Sequence, residues 1–176
     1  MPLLVRSFLF VVACVAWLHL SGREVNAQAP TYVGTFAMTN GANVKCLTNS
    51  TGGLGGSGNF AVTNPWAAIP GQEWAFLLLS NGYYTIFNVQ TGQFLTGDGG
   101  GGGFLGLPVS QEAWTADLTQ MWYLYPLGGH FYALVNVGTG DVLTDQSTGS
   151  QSGVRAGTDT WSNNLHQWWF LYFLYQ

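Results

Sequence analysis

The nine residues WSNNLHQWW, from Trp161 to Trp169, decide the fold when they are laid beside WTADLTQMW at 114–122 and WAAIPGQEW at 66–74. Each segment begins with tryptophan and carries glutamine and tryptophan at its seventh and ninth positions. The first two segments start 48 positions apart, and the last two start 47 apart. A motif that recurs at so regular an interval predicts several copies of one structural unit.

A second series of segments keeps the same interval. TFAMTNGANVKCLT, YTIFNVQTGQFLT and YALVNVGTGDVLT align over five positions, 48 residues apart. The aligned sets are Phe36, Tyr84 and Tyr132; Met38, Ile86 and Leu134; Asn40, Asn88 and Asn136; Leu47, Leu95 and Leu143; and Thr48, Thr96 and Thr144. We therefore predict three repeats at approximately 32–79, 82–127 and 130–176.

Within each unit the apolar residues alternate with a period of two, and Gly, Asn, Asp and Pro interrupt the pattern at short intervals. This pattern is typical of short β-strands, about four in each unit, and no helix longer than a turn is indicated. Three units are too few for an ordinary propeller. A six-stranded barrel capped by three hairpins leaves no free sheet edge. The prediction is an all-β protein with the β-trefoil fold and pseudo-threefold symmetry. The terminal strand should pair with the first, near 32–38, with its aromatic face in the core.

The N-terminal segment has the features of a secretory signal. Arg6 precedes an apolar run at 8–20, and Ala27-Gln28-Ala29 fits the small-x-small cleavage pattern. We predict a signal peptide at 1–29 and a secreted domain at 30–176, with no membrane span in the mature chain. Cys46 is then the only mature cysteine, and a buried thiol is expected.

Charged residues make up only 7% of the chain, and the formal net charge is −4. Lys45 and Arg155 are the only cations after residue 29. Nucleic acids and anionic membranes require clustered Lys and Arg, so neither is expected as a partner. The sequon at Asn49 predicts a surface loop that could carry an N-glycan.

The threefold Gln-x-Trp, preceded by Asn-x-x-Thr-Gly-x-x-Leu, resembles the ricin B-type β-trefoil lectins, especially their single-domain fungal members. The resemblance covers essentially the whole mature chain. It implies up to one shallow sugar site per unit, without metal or cofactor, and glycans or glycoproteins as partners. Two features depart from the family. Thr48, Thr96 and Thr144 stand where many family sites have aspartate, and Gly71, Thr119 and His166 stand where an asparagine is common.

Candidate sugar-binding residues combine an aromatic face with fixed polar groups. The third repeat offers Asp145, Trp161, Asn163 and Asn164, and the second offers Asp98, Trp114 and Asp117. The first has Asn49, Asn64 and Trp66. We expect the motif glutamines to be scaffold and the last tryptophan of each motif to be core.

Catalytic and metal-binding patterns are absent from the sequence. Only His130 and His166 follow the predicted signal, without a nucleophile elbow or a ligand set. The leading hypothesis is a secreted, non-enzymatic lectin-like module with weak sites, which could form a homodimer. The alternatives are a protein-binding trefoil such as a protease inhibitor, and a trefoil that has lost sugar binding.

Overall fold

The computed structural model describes residues 29–50, 59–97, 107–148 and 151–176. The predicted signal peptide, apart from Ala29, lies outside these residues. The strands are β1 (Thr31–Asn40), β2 (Cys46–Asn49), β3 (Asn59–Asn64), β4 (Trp74–Leu78), β5 (Tyr84–Asn88), β6 (Phe94–Thr96), β7 (Leu107–Pro108), β8 (Ser110–Glu112), β9 (Trp122–Gly128), β10 (Phe131–Asn136), β11 (Val142–Asp145), β12 (Val154–Asp159) and β13 (Trp169–Tyr175). Short 3-10 turns lie at Pro70–Gln72, Leu118–Gln120 and Leu165–Gln167. The all-β prediction is confirmed. Over the described ranges, no helix is long and apolar enough to cross a membrane.

Six of the strands close a ring. Antiparallel pairings join β1 to β4, β4 to β5, β5 to β9, β9 to β10, β10 to β13, and β13 back to β1. A closed ring leaves no unpaired edge within the barrel. The first and the last of the described strands therefore lie side by side in the barrel wall.

Three hairpins stand against this barrel. They pair β2 with β3, β6 with β8, and β11 with β12. The hairpins also contact one another, because β3 pairs with both β8 and β12. The loops between the hairpins and the barrel are consequently brought together from distant parts of the sequence.

The core is built around the last tryptophan of each motif. Trp74, Trp122 and Trp169 have no exposed surface. Each indole Nε1 donates a hydrogen bond of 2.9 Å to a backbone carbonyl, which satisfies the only polar atom of a buried indole. The acceptors, in the same order, are the carbonyl oxygens of Leu47, Leu95 and Leu143. The prediction that these tryptophans are core residues is confirmed.

The terminal strand only partly fits its prediction. It pairs with β1 as expected, with Trp169 opposite Asn40 and Phe173 opposite Phe36. Its aromatic side chains are not all core, because Tyr172 and Phe173 are 59% and 52% exposed. A strand in a barrel wall has two faces, and only the inward one packs in the interior. Tyr172 lies on the outward face, which forms part of the protein surface, whereas Phe173 shares the face of Trp169 and is exposed towards the end of the strand.

Cys46 is buried as predicted. Burial raises the pKa of its thiol, and a contact of 3.3 Å to the Thr39 hydroxyl opposes that shift. Asn49 itself is not on the surface, because it is only 6% exposed and its Oδ1 accepts a bond from Gln111. This amide points inward because all of β2 is buried between its neighbours. Ser50 is exposed, and the rest of the predicted loop, 51–58, lies outside the described residues.

Candidate functional site

The motif glutamines hold the backbone on both sides of the first tryptophan of each motif. In the first motif, Gln72 Oε1 accepts from the Ala67 N–H at 2.7 Å, and its Nε2 donates to the Pro65 carbonyl at 2.8 Å. These two residues flank Trp66. Gln120 holds Ala113 and Thr115 in the same way, and Gln167 holds Thr160 and Ser162. The glutamines are scaffold, as predicted, and they fix where each indole is presented.

The three tryptophans presented in this way differ in their surroundings. Trp66 and Trp161 are 45% and 41% exposed. Trp114 is half-buried and packs on Phe94, with ring centroids 5.0 Å apart. An exposed indole face is available to stack on a ligand, so Trp66 and Trp161 are better placed than Trp114.

Three of the predicted site residues have roles in the backbone of the motif. Asn163 is exposed and has φ of 55°, a left-handed conformation that asparagine adopts more readily than most residues. Asp117 and Asn164 cap the 3-10 turns by accepting from the backbone N–H of Thr119 and His166. The bonds from the Thr119 backbone and hydroxyl hold the pKa of Asp117 below its usual value. The side chains of Asp117 and Asn164 are therefore already engaged, whereas that of Asn163 is exposed two residues after Trp161.

Asp145 is placed differently from the prediction, because its side chain is buried. The carboxylate accepts from Thr63 Oγ1 at 2.9 Å and from Ser147 N and Oγ at 3.1 and 2.7 Å. It also accepts from Asn43 Nδ2. Since all of β11 is buried, the carboxylate is closed off from solvent. Asp145 therefore supports the surface above it and does not face a ligand directly.

The threonines that replace the family aspartate are also internal. Each hydroxyl donates to the carbonyl two residues earlier in the chain, as Thr48 does to Cys46 at 2.9 Å. Each also accepts from the motif glutamine, as Thr48 does from Gln72 Nε2 at 3.2 Å. A threonine is sufficient at such a buried position, because its short side chain both donates one hydrogen bond and accepts another. Asp98, predicted for the second repeat, lies outside the described residues.

An open cleft of about 580 Å³ lies above Asp145. We call it the polar cleft. Its lining includes Asn43, Val44, Lys45, Trp66, Thr148 and His166. It joins the turn after β1, the first motif and the third motif, which are distant in sequence. Of the candidate sugar-binding residues, Trp66 lines the cleft, Asp145 binds Asn43, and Asn164 accepts from the His166 N–H.

The polar groups of the cleft are held from below. Asn43 Nδ2 donates to the Asp145 carboxylate and also to Ser147 Oγ, the second bond at 2.7 Å. Lys45 Nζ donates to the Gln151 carbonyl. His166 Nδ1 lies 3.9 Å from the Asp145 carboxylate. Fixed polar groups beside an aromatic face are the requirements of a small polar-ligand site.

The sequence patterns did not single out this arrangement. Asn43 has no counterpart in the other repeats, because their segments differ from NGANVKC at this turn. The signals that the sequence offers are His166, which precedes the motif glutamine, Trp66, which begins the first motif, and Asp145, which follows Thr144. Among the residues that the structure describes, no three His, Cys, Asp or Glu side chains are grouped so as to hold a metal ion.

The chain is similar to a family of known proteins. The family described as ricin-type β-trefoil lectin domain-like matches residues 24–112 and 70–155. Together these matches extend over most of the chain. The chain belongs to this family of β-trefoil lectin-like proteins. None of the curated proteins compared with the sequence matches it.

Solved structures are similar over most of the chain. The designed threefold-symmetric protein ThreeFoil gives a TM-score of 0.74 at 22% identity, covering 81% of this chain and all of that one. An exo-β-1,3-galactanase from Clostridium thermocellum gives a TM-score of 0.74 at 18% identity. The similarity covers 81% of this chain and 30% of the galactanase chain. The Macrolepiota procera ricin B-like lectin in complex with lactose gives 0.64 at 15% identity, covering 80% and 95%. At these identities the likeness establishes the fold alone.

Proposed function

We propose that this protein is a carbohydrate-binding, lectin-like module that acts without catalysis, and that the polar cleft is its principal site. The observation that carries the proposal is the half-exposed Trp66 indole beside Asn43 and His166. The C–H face of a sugar ring packs on an aromatic face, and its hydroxyls need fixed donors and acceptors. The family and the lactose complex of the Macrolepiota lectin support this assignment.

The finer architecture belongs to the same proposal. We infer three pseudo-symmetric units, supported by the recurring Trp-to-Leu and glutamine hydrogen bonds. Trp161 with Asn163 and Asn164 would then form a second site, and Trp114 with Asp117 and Asp98 a weaker third. Shallow sites of this kind bind single sugars weakly, so several sites, or a homodimer, would act together through avidity.

Secretion is proposed from the sequence pattern at 1–29. Glycans or glycoproteins outside the cell are the corresponding partners. The test is the mass of the chain recovered from the medium of a secreting host. A chain that begins close to residue 28 or 30 supports the proposal, and a chain retained in the cell with its first residues intact contradicts it.

The decisive experiment is a glycan array probed with the protein as a multivalent tagged complex. We expect a set of hits that share one sugar. The Trp66→Ala variant should reduce retention by about tenfold or more. Tyr125→Ala is the matched control, because this tyrosine is 51% exposed but lies outside the polar cleft and outside the other proposed sites. Trp161→Ala, in the proposed second site, should reduce retention less than Trp66→Ala does.

The array results show which site binds the sugar and whether carbohydrate is bound at all. Loss of retention with Trp161→Ala alone would move the principal site to the third repeat. A blank array with correctly folded protein would overturn the carbohydrate proposal. Thermal unfolding of each variant must stay close to that of the parent chain, since half-exposed residues contribute little to stability.

A further inference from the structure

A second groove lies directly beside the polar cleft. Its volume is about 510 Å³, and we call it the aromatic groove. Its lining includes Thr39, Val44, Trp66, Phe131, Phe170 and Tyr172. The groove runs over the outer face of β1, β10 and β13, where Phe131 pairs with Phe170 and Ala37 pairs with Tyr172. The outward aromatic residues of the terminal strand thus have a common location.

The two sites are continuous, because Val44 and Trp66 line both of them. Val44 is 74% exposed and has φ of 60°, a conformation that β-branched residues rarely adopt. Its turn is fixed by a bond from the Val44 N–H to the Asn40 carbonyl at 3.0 Å and by one from the Lys45 N–H to Asn43 Oδ1 at 3.0 Å. Val44 is therefore held at the boundary between the two sites, and it leaves both of them open.

The sites differ in chemistry. Thr39 and Asn40, the non-aromatic polar residues that line the aromatic groove, have side chains already bound within the protein. Thr39 Oγ1 contacts Cys46 Sγ at 3.3 Å, and Asn40 Nδ2 donates to the His166 carbonyl at 2.9 Å while its Oδ1 accepts from Ala42. Among the described residues, no charged side chain lines this groove. Sugar hydroxyls placed over Thr39 and Asn40 would lose water without gaining side-chain partners, whereas an apolar group would not.

From this juxtaposition we infer that the natural ligand is an amphiphilic glycoside, with its sugar in the polar cleft and an apolar aglycone, such as an alkyl chain, in the aromatic groove. The inference rests on the proposed carbohydrate function and specifies its ligand class. Trp66 lies at the junction, where one face can meet the sugar and the other the start of the aglycone. The aglycone gains by leaving water for the aromatic surface.

The test compares methyl and n-octyl β-glycosides of galactose, N-acetylgalactosamine, glucose and mannose by calorimetry, below the concentration at which the octyl compounds form micelles. We expect the octyl glycoside of the bound sugar to bind about tenfold more tightly than its methyl counterpart. Tyr172→Ser and Tyr172→Asn should reduce this ratio to about two or less while the methyl glycoside binds unchanged, because Tyr172 lines only the aromatic groove.

Tyr125→Ser is the control variant. Tyr125 is 51% exposed on β9 but does not line the groove, so the octyl-to-methyl ratio should be retained. A methyl glycoside that binds as tightly as the octyl one overturns the inference and leaves the carbohydrate function standing. Octyl binding that ignores the groove variants also overturns it. Octyl binding without sugar preference, or no binding by either series, overturns both the inference and the proposed function.

Discussion

Gln120 shows how one side chain organises each repeat at the residue scale. Its Oε1 accepts from the Thr115 N–H at 2.8 Å, and its Nε2 donates to the Ala113 carbonyl at 2.7 Å. The side chain is only 1% exposed. The buried amide provides hydrogen-bond partners for two backbone groups of a loop, as regular secondary structure does for the strands. This explains why the spacing between tryptophan and glutamine does not vary among the three motifs.

Replacing Gln120 with leucine should destabilise the protein by about 2 to 4 kcal/mol, because two partly buried backbone groups lose their partners. The free energy of unfolding in urea measures this change. Leu118→Ser, in the same turn but 53% exposed, is the control and should change stability by less than about 0.5 kcal/mol. Equal effects of the two substitutions would contradict a bridging role for the glutamine.

At the scale of the element, strand β1 has a register irregularity between Tyr32 and Gly34. Gly34 lies where β1 meets β13. A Cβ at this position would be 2.9 Å from a ring carbon of Phe173 and 3.3 Å from one of Phe36. These two rings already pack edge to face, with centroids 5.6 Å apart. The glycine therefore allows two aromatic side chains to close over the strand.

Gly34→Ala should cost about 1 to 3 kcal/mol, through overpacking and because Gly34 has φ of 156°, a conformation that residues with a side chain rarely adopt. Combining it with Phe173→Ala removes the ring that the new methyl group meets. In a double-mutant cycle measured by urea unfolding, the alanine at position 34 should then cost at least about 0.5 kcal/mol less than it does alone. Strict additivity of the two changes would show that the close approach to Phe173 is not the cause.

At the scale of the whole molecule, the barrel closes through its two terminal strands. The five residues that follow Leu171 include Phe173 and Tyr175, which pair with Phe36 and Thr35 of β1. The Tyr175 hydroxyl also donates to the Glu73 carboxylate at 2.7 Å, which ties the end of the chain to the first motif. Burial and this carboxylate raise the pKa of Tyr175. Closure thus depends on the last residues of the chain.

Deleting residues 172–176 should lower the urea unfolding midpoint markedly, because it removes the β13 partners of Thr35, Phe36 and Ala37 and leaves this part of β1 as an unpaired edge. Near-ultraviolet circular dichroism and urea unfolding measure the loss. Deletion of Gln176 alone is the control and should leave both unchanged. A truncated chain with the parent unfolding midpoint would mean that the contact between β13 and β1 does not stabilise the barrel.

The sequence by itself determined the strand class, the interval between motifs, the buried tryptophans and the scaffold role of the glutamines. These features depend on periodicity and on hydrogen bonds within one repeat, such as the five-residue span from Thr115 to Gln120. Local spacing records such contacts directly.

Only the tertiary structure decided where a ligand could bind. Asn43 and Asp145 are 102 positions apart, yet one amide and one carboxylate meet beneath the polar cleft. The same packing buries Asp145, exposes Tyr172 and places Trp66 between two grooves. Burial and the joining of loops depend on which strands become neighbours when the barrel closes, and no local pattern encodes that choice.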